Sequence, residues 1–144
     1  MTTQLDRVTY TATATATGGR AGHVRSDDGL LNVDLRAPKA MGGPGGATNP
    51  EQLFAAGYAA CFQASIGAAG RRMKVDTSGS LVTCHVSMGP VGTAYGLAVR
   101  LDVEIPSVDE ATCQKLTEEA HQICPYSAAT RGNIEVDIQA RPAG

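Results

Sequence analysis

Two of the four cysteines stand in surroundings that could support thiol chemistry. Cys61 ends a run of small and apolar residues in TNPEQLFAAGYAAC, residues 48–61, and Cys124 opens CPYSAATRGN, residues 124–133. The nucleophile is the thiolate, and a free thiol with a pKa of about 8.5 is only a few per cent ionised at neutral pH. Reactivity at either position therefore requires a group that stabilises the anion.

The proline after Cys124 predicts a bend in the chain. A residue before proline avoids helical geometry, so one helix is expected to end at Cys124. Pro125 suits the first position of another, short helix over residues 125–131. Cys124 would then lie at a helix N-terminus, where the dipole favours a thiolate. The alternative is a buried cysteine at a bend.

Cys61 belongs to a longer predicted helix, from Pro50 to about Arg72. Thr48 or Asn49 is expected to cap it, with proline at its first position. Cys61 lies three turns inside, so its own helix dipole hardly affects its pKa. Spacing alone favours a core cysteine. If Cys61 reacts, the fold must bring a cation to it.

The other two cysteines are expected to be core residues. Cys84 shares one face of a predicted strand with Val82 and Val86, and Cys113 falls on the apolar face of a predicted helix. A buried free cysteine behaves as a small hydrophobe. His121 and Cys124 are three residues apart, but two ligands do not make a metal site, so we predict no bound metal.

The order of elements favours an α+β fold in one domain, residues 1–144. Strict alternation predicts a strand over 8–17, followed by a hairpin over 23–38 and a Gly/Pro-rich loop over 41–50. Two strands are expected over 81–106. A capping box, Ser107-x-x-Glu110, is expected to start the second helix. A strand over 132–140 follows.

Composition excludes several classes of function. Hydrophobic residues make up 42% of the 144 residues, charged residues 18%, and the formal net charge is −2. That balance argues against a nucleic-acid or anionic-membrane partner. The first residues do not resemble a signal peptide, and no stretch is expected to span a bilayer. The expected location is the cytoplasm, where thiols stay reduced.

Both cysteine motifs, with a glycine-flanked Arg20 after the first strand, resemble the Ohr/OsmC family. The CPYS-x-ATRGN form is similar to its organic hydroperoxide resistance branch. The resemblance implies an intertwined homodimer whose antiparallel sheets wrap two central helices, with two sites at the interface. It also implies a cysteine-based peroxidase acting on organic hydroperoxides. The rival interpretations are an osmotically inducible (OsmC-type) peroxidase of broader range and a redox sensor without turnover.

The resemblance assigns roles to four residues. Cys61 would be the peroxidatic cysteine and Cys124 the resolving one, while Arg20 and Glu51 would form the charged pair that activates the thiol. No cofactor is expected to be bound, and the implied reductant is a dithiol, lipoamide on a lipoylated protein. Glu51 and Cys61 are ten residues apart, about 15 Å along one helix, so a glutamate could serve only a partner chain's Cys61.

Two further expectations concern the surroundings of the thiols. Glycines at 18, 19 and 22 are suitable hinges for an Arg20 loop that moves away after oxidation. An apolar wall would favour hydroperoxides with a hydrocarbon body over hydrogen peroxide. The candidate wall residues are Leu53, Phe54, Phe62, Ile66 and Tyr126.

Overall fold

The computed structural model describes residues 2–143 and has an α+β architecture, as predicted. The chain falls into two compact units, Met1–Pro50 and Glu51–Gly144. The elements of the first unit are β1 (Ala14–Thr17), β2 (His23–Ser26) and β3 (Asn32–Asp34). Those that follow are α1 (Pro50–Met73), β4 (Leu81–Val91), β5 (Ala94–Pro106), α2 (Glu110–Ile123), α3 (Pro125–Thr130) and β6 (Val136–Ala143).

The first unit is a three-stranded antiparallel sheet in the order β1-β2-β3. The predicted hairpin turn is present, with Gly29 at a φ of 74°. The strand predicted over 8–17 is shorter in the structure. Because β2 ends at Ser26, it pairs only with residues 14–17. Val8 and Tyr10, which alternate as a strand would, are 66% and 80% exposed.

The second unit holds the core. Its sheet has the order β4-β5-β6, with β4 and β5 antiparallel. The β5–β6 pair is parallel, which departs from the expectation of antiparallel sheets. Parallel neighbours require a crossover connection, and here α2 and α3 supply it. Side chains of α1, β5 and α2 form one buried apolar cluster.

The start of α2 corrects the expected capping box. Asp109, not Ser107, caps the helix, and its side chain accepts a hydrogen bond from the Thr112 amide. An N-cap residue needs extended backbone geometry. Asp109 has it, with φ −82° and ψ 171°, whereas Ser107 has a φ of 63°.

The expectation that no stretch could span a bilayer is also corrected. Among the described residues, α1 is long and apolar enough to do so by length and composition. The core helix of a globular protein passes the same test, and one face of α1 is buried in the core cluster. Only a third of its most apolar window is buried within this chain.

Candidate active site

Cys124 occupies the predicted bend between two helices. It ends α2, where its amide donates to the Ala120 carbonyl at 2.8 Å, and it caps α3, which begins at Pro125. Its φ and ψ of −70° and 120° are extended, as expected before proline. The amide of Ser127 donates to Cys124 Sγ at 3.5 Å, and the side chain is fully buried.

Cys61 lies beside Cys124, although the two are 63 residues apart in sequence. Their sulfur atoms are 3.5 Å apart and both thiols are free. Cys61 is half-buried on α1, and the backbone amide of Tyr126 donates to it. Two consecutive amides of α3 therefore donate to the two sulfur atoms, that of Tyr126 to Cys61 and that of Ser127 to Cys124.

The environment within one chain holds Cys61 as a thiol. Burial raises its pKa above the usual value, and the hydrogen bond and charge of Cys124 raise it further. The amide of Tyr126 acts in the opposite direction but does not outweigh them. A desolvated thiol ionises only when an opposite charge compensates for the lost hydration. An active Cys61 therefore needs a cation beyond these groups.

The remaining cysteines have the expected core positions. Cys113 is fully buried on α2, and Cys84 is half-buried on β4 against the apolar cluster. Burial raises the pKa of Cys84 to about 11. Burial, followed by the charge of Glu110, raises the pKa of Cys113. Both are therefore unreactive thiols at neutral pH.

Glu51 stands in the first turn of the same helix that carries Cys61. Because α1 is continuous from Pro50 to Met73, ten residues of rise keep the two about 15 Å apart along its axis. A glutamate side chain does not bridge that distance. Glu51 and Cys61 of the same chain are therefore too far apart along α1 to contact each other.

Arg20 lies in the first unit, in a short 3-10 turn between β1 and β2. It is half-buried. Gly18 and Gly19 have φ values of 73° and 55°. A Cβ on Gly22 would lie 1.7 Å from the Thr17 carbonyl oxygen, so only glycine permits this close approach. The role of Arg20 at Cys61 stays a prediction.

The expected wall residues divide into two groups. Phe62 and Ile66 are fully buried in the core, so they do not line an exposed surface. Tyr126 is 41% exposed, while Leu53 and Phe54 are half-buried. The Tyr126 ring packs edge-on against Phe54, with centroids 6.4 Å apart. Of the five, Tyr126, Leu53 and Phe54 therefore keep exposed surface in this chain, and their role in a substrate wall stays a prediction.

One part of the site was not expected from the sequence. The buried hydroxyl of Tyr58 lies 2.8 Å from Ser127 Oγ and 3.0 Å from Thr130 Oγ1. His121 Nδ1 lies 2.8 Å from Ser127 Oγ. The only advance signal was the three-residue spacing of Ser127 and Thr130, which places two hydroxyls on one face of α3. Within residues 2–143, no group of three or more His, Cys, Asp or Glu side chains is arranged to hold a metal.

Comparison with known proteins identifies the family. The sequence model of the OsmC-like protein family matches residues 43–139. The chain belongs to the OsmC-like family. An organic hydroperoxide resistance protein from Xanthomonas axonopodis pv. citri is 47% identical over 135 residues, which cover 92% of this chain and 95% of that protein. The expected resemblance to the Ohr branch is confirmed.

Solved structures of OsmC-like relatives share the fold. An organic hydroperoxide resistance protein from Legionella pneumophila matches with a TM-score of 0.90 and 42% identity, covering 96% of this chain and all of that one. The organic hydroperoxide resistance protein OhrB of Bacillus subtilis matches with a TM-score of 0.84 and 40% identity, covering 92% and 98%. The predicted α+β, Ohr/OsmC-like fold is therefore confirmed.

Proposed function

We propose that the chain is a cytoplasmic thiol peroxidase that reduces organic hydroperoxides to alcohols. Cys61 would be oxidised to a sulfenic acid, form a disulfide with Cys124, and be re-reduced by a dithiol such as lipoamide on a lipoylated protein. The observation that carries this proposal is the 3.5 Å separation of the two sulfur atoms. The names of the curated relatives, organic hydroperoxide resistance proteins, agree with it.

In the first step the Cys61 thiolate attacks the distal oxygen of the hydroperoxide. The S–O bond forms, the O–O bond breaks, and the alkoxide takes a proton to leave as the alcohol. Because burial opposes ionisation of Cys61, we assign the required cation to Arg20. Glu51 would orient the guanidinium and balance its charge.

In the second step Cys124 attacks the sulfenic acid. The S–S bond forms, the S–O bond breaks, and the thiol proton leaves with the hydroxide as water. A disulfide has an S–S length of about 2.05 Å, so the sulfur atoms need to approach by about 1.5 Å. This small movement supports an intramolecular disulfide within one chain.

A homodimer accounts for the placement of Glu51. Two-thirds of the most apolar window of α1 is not buried by its own chain, and Ala55, Ala56 and Ala59 permit close approach of a second helix. The exposed Val8 and Tyr10 offer further apolar surface for an intertwined partner. In this arrangement α1 meets a second copy of itself rather than a membrane.

Mixing two inactive variants tests this arrangement. If each site joins Cys61 of one chain to Glu51 of its partner, a heterodimer of Cys61→Ser and Glu51→Gln chains contains one intact site. Activity should then return on mixing, unfolding and refolding the two variants together. If both residues act within one chain, no mixed dimer has an intact site and activity stays at the level of Glu51→Gln.

Steady-state reduction of cumene hydroperoxide with dihydrolipoamide tests the function. Cys61→Ser should be inactive, and Cys124→Ser should react once and then accumulate over-oxidised Cys61. Cys84→Ser is the matched control, because Cys84 is a half-buried thiol on β4, and it should keep the wild-type rate. Wild-type protein that forms the disulfide without sustained turnover would indicate the sensor. Equal rates with hydrogen peroxide would indicate the broader OsmC-type enzyme.

A further inference from the structure

The hydroxyl network around Tyr58 connects the three helices that carry the thiol site. Tyr58 lies on α1, three residues before Cys61, and His121 lies on α2, three residues before Cys124. Ser127 and Thr130 lie on α3. Ser127 Oγ is the shared atom, at 2.8 Å from both the tyrosine hydroxyl and the histidine ring.

Each of the three hydroxyl hydrogens in the network has an acceptor. With Nδ1 of His121 unprotonated, Ser127 donates to His121 and Tyr58 donates to Ser127. The Thr130 hydroxyl lies within hydrogen-bond distance of both Tyr58 Oη and the Ser127 carbonyl oxygen. Tyr58 and Ser127 are fully buried, so each lost partner would leave a buried hydroxyl unsatisfied. The network therefore fixes the relative positions of the three helices.

Ser127 links this network directly to the sulfur atoms. Its side chain is held by Tyr58 and His121, while its own amide donates to Cys124 Sγ at 3.5 Å. The preceding amide, that of Tyr126, donates to Cys61. A shift of α3 would move both amides and change the approach of one sulfur to the other.

We propose that Tyr58, Ser127, Thr130 and His121 are positioning residues that hold Cys124 in reach of oxidised Cys61. The inference rests on the proposed peroxidase function and concerns its second step. Cys124 competes with a second hydroperoxide molecule for the Cys61 sulfenic acid. Attack by Cys124 yields the disulfide and water, whereas attack on the second hydroperoxide yields the sulfinic acid and a second alcohol. The network favours the first route by keeping the sulfur atoms close.

Tyr58→Phe tests the proposal because it removes one hydroxyl and keeps the ring. A displacement of about 1 Å at a reacting group can cost roughly 100-fold in rate, so the smaller shift expected here should slow disulfide formation about 10-fold. The measurement is the reaction without reductant, at one and at several equivalents of cumene hydroperoxide. Loss of thiols reports the first step, and intact mass separates disulfide from sulfinic acid. The sulfinic fraction should rise at increasing hydroperoxide concentration.

Thr117→Val is the matched control. Thr117 is a buried residue of α2 whose hydroxyl donates to the Cys113 carbonyl, outside the network. This variant should match the wild-type ratio of disulfide to sulfinic acid, even if it unfolds at a lower temperature. A raised sulfinic fraction in both variants would overturn the proposal, because loss of stability alone would then explain it.

His121 provides a second variant at a half-buried position, should Tyr58→Phe fail to fold. His121→Asn keeps a hydrogen-bonding atom near the Nδ1 position and should preserve the ratio, whereas His121→Leu should raise the sulfinic fraction. A wild-type ratio in Tyr58→Phe or in His121→Leu, with normal hydroperoxide reduction, would overturn the positioning role alone. Absence of any hydroperoxide reduction by the wild type would overturn the proposed function as well.

Discussion

Replacing Gly57 by alanine tests how closely the Tyr126 ring packs on α1. A Cβ at this position would lie 3.0 Å from Tyr126 Oη, 3.2 Å from Cε2 and 3.4 Å from Cζ. Favourable carbon contacts need about 3.5–4.0 Å, so the ring must move outward. Its contacts with Phe54 and Tyr58, at 6.4 and 5.8 Å between centroids, are each worth about 0.5–1.5 kcal/mol.

The magnitude follows from two opposing effects. Alanine in place of a helix glycine stabilises by about 0.5–1 kcal/mol. In Gly57→Ala the displaced ring should cancel this gain and leave the stability within about 0.5 kcal/mol of wild type. Gly67→Ala on the same helix is the control, since its Cβ would meet only Arg71 Nη1, at 3.6 Å.

Thermal unfolding followed by circular dichroism measures the difference. Gly67→Ala should be more stable than Gly57→Ala by about 1 kcal/mol, a Tm difference of roughly 3 °C for a chain of this size. Equal gains in both variants would refute the reasoning, because the ring would then be free to move at no cost. If Tyr126 lines the substrate wall, Gly57→Ala should also raise the KM for cumene hydroperoxide.

Three further predictions concern the core, a helix end and pH. Phe62→Ala should lower the free energy of unfolding by about 3–5 kcal/mol in urea titrations, because the ring is fully buried. Asp109→Ala should lower stability at neutral pH by removing the α2 cap. The hydrogen bonds from Thr112 lower the pKa of Asp109, so this difference should disappear as the pH falls through that pKa, below 3.8. Burial, then the charge of Arg131, lowers the pKa of His121, so the folded state favours the neutral ring. The stability that the neutral His121 ring contributes is present above pH 6.5 and is lost as the pH falls through the folded pKa. Urea titrations of His121→Asn should therefore show a weaker dependence of stability on pH below 6.5 than the wild type does.

Local chemistry explains what the sequence predicted well. Pro50 fixes the start of α1, and Pro125 forces the bend at Cys124, because both effects act between neighbouring residues. Period-two alternation also predicted β4 and β5, because it is a local pattern within each strand. The pairing of Cys61 with Cys124 came from a family resemblance, since no local rule joins residues 63 positions apart.

Features that depend on distant neighbours were predicted less well. The alternation over 8–17 is a strand pattern, but only residues opposite β2 become a strand in this chain. Alternation likewise does not tell which direction a neighbour runs, so the parallel pairing of β6 was missed. Helical position alone does not separate a core face from a pocket face. Phe62 is fully buried in this chain, and its place in a substrate wall stays a prediction. The Tyr58–Ser127 contact spans 69 residues and gave no local signal.

The parallel pairing of β5 and β6 has a consequence for biosynthesis. Cys124 lies inside the crossover that joins them, so its position depends on a strand translated after it. Without β6, the crossover that holds Cys124 has no second strand to lead into. We therefore expect the two sulfur atoms to reach their 3.5 Å separation only in a chain that includes β6.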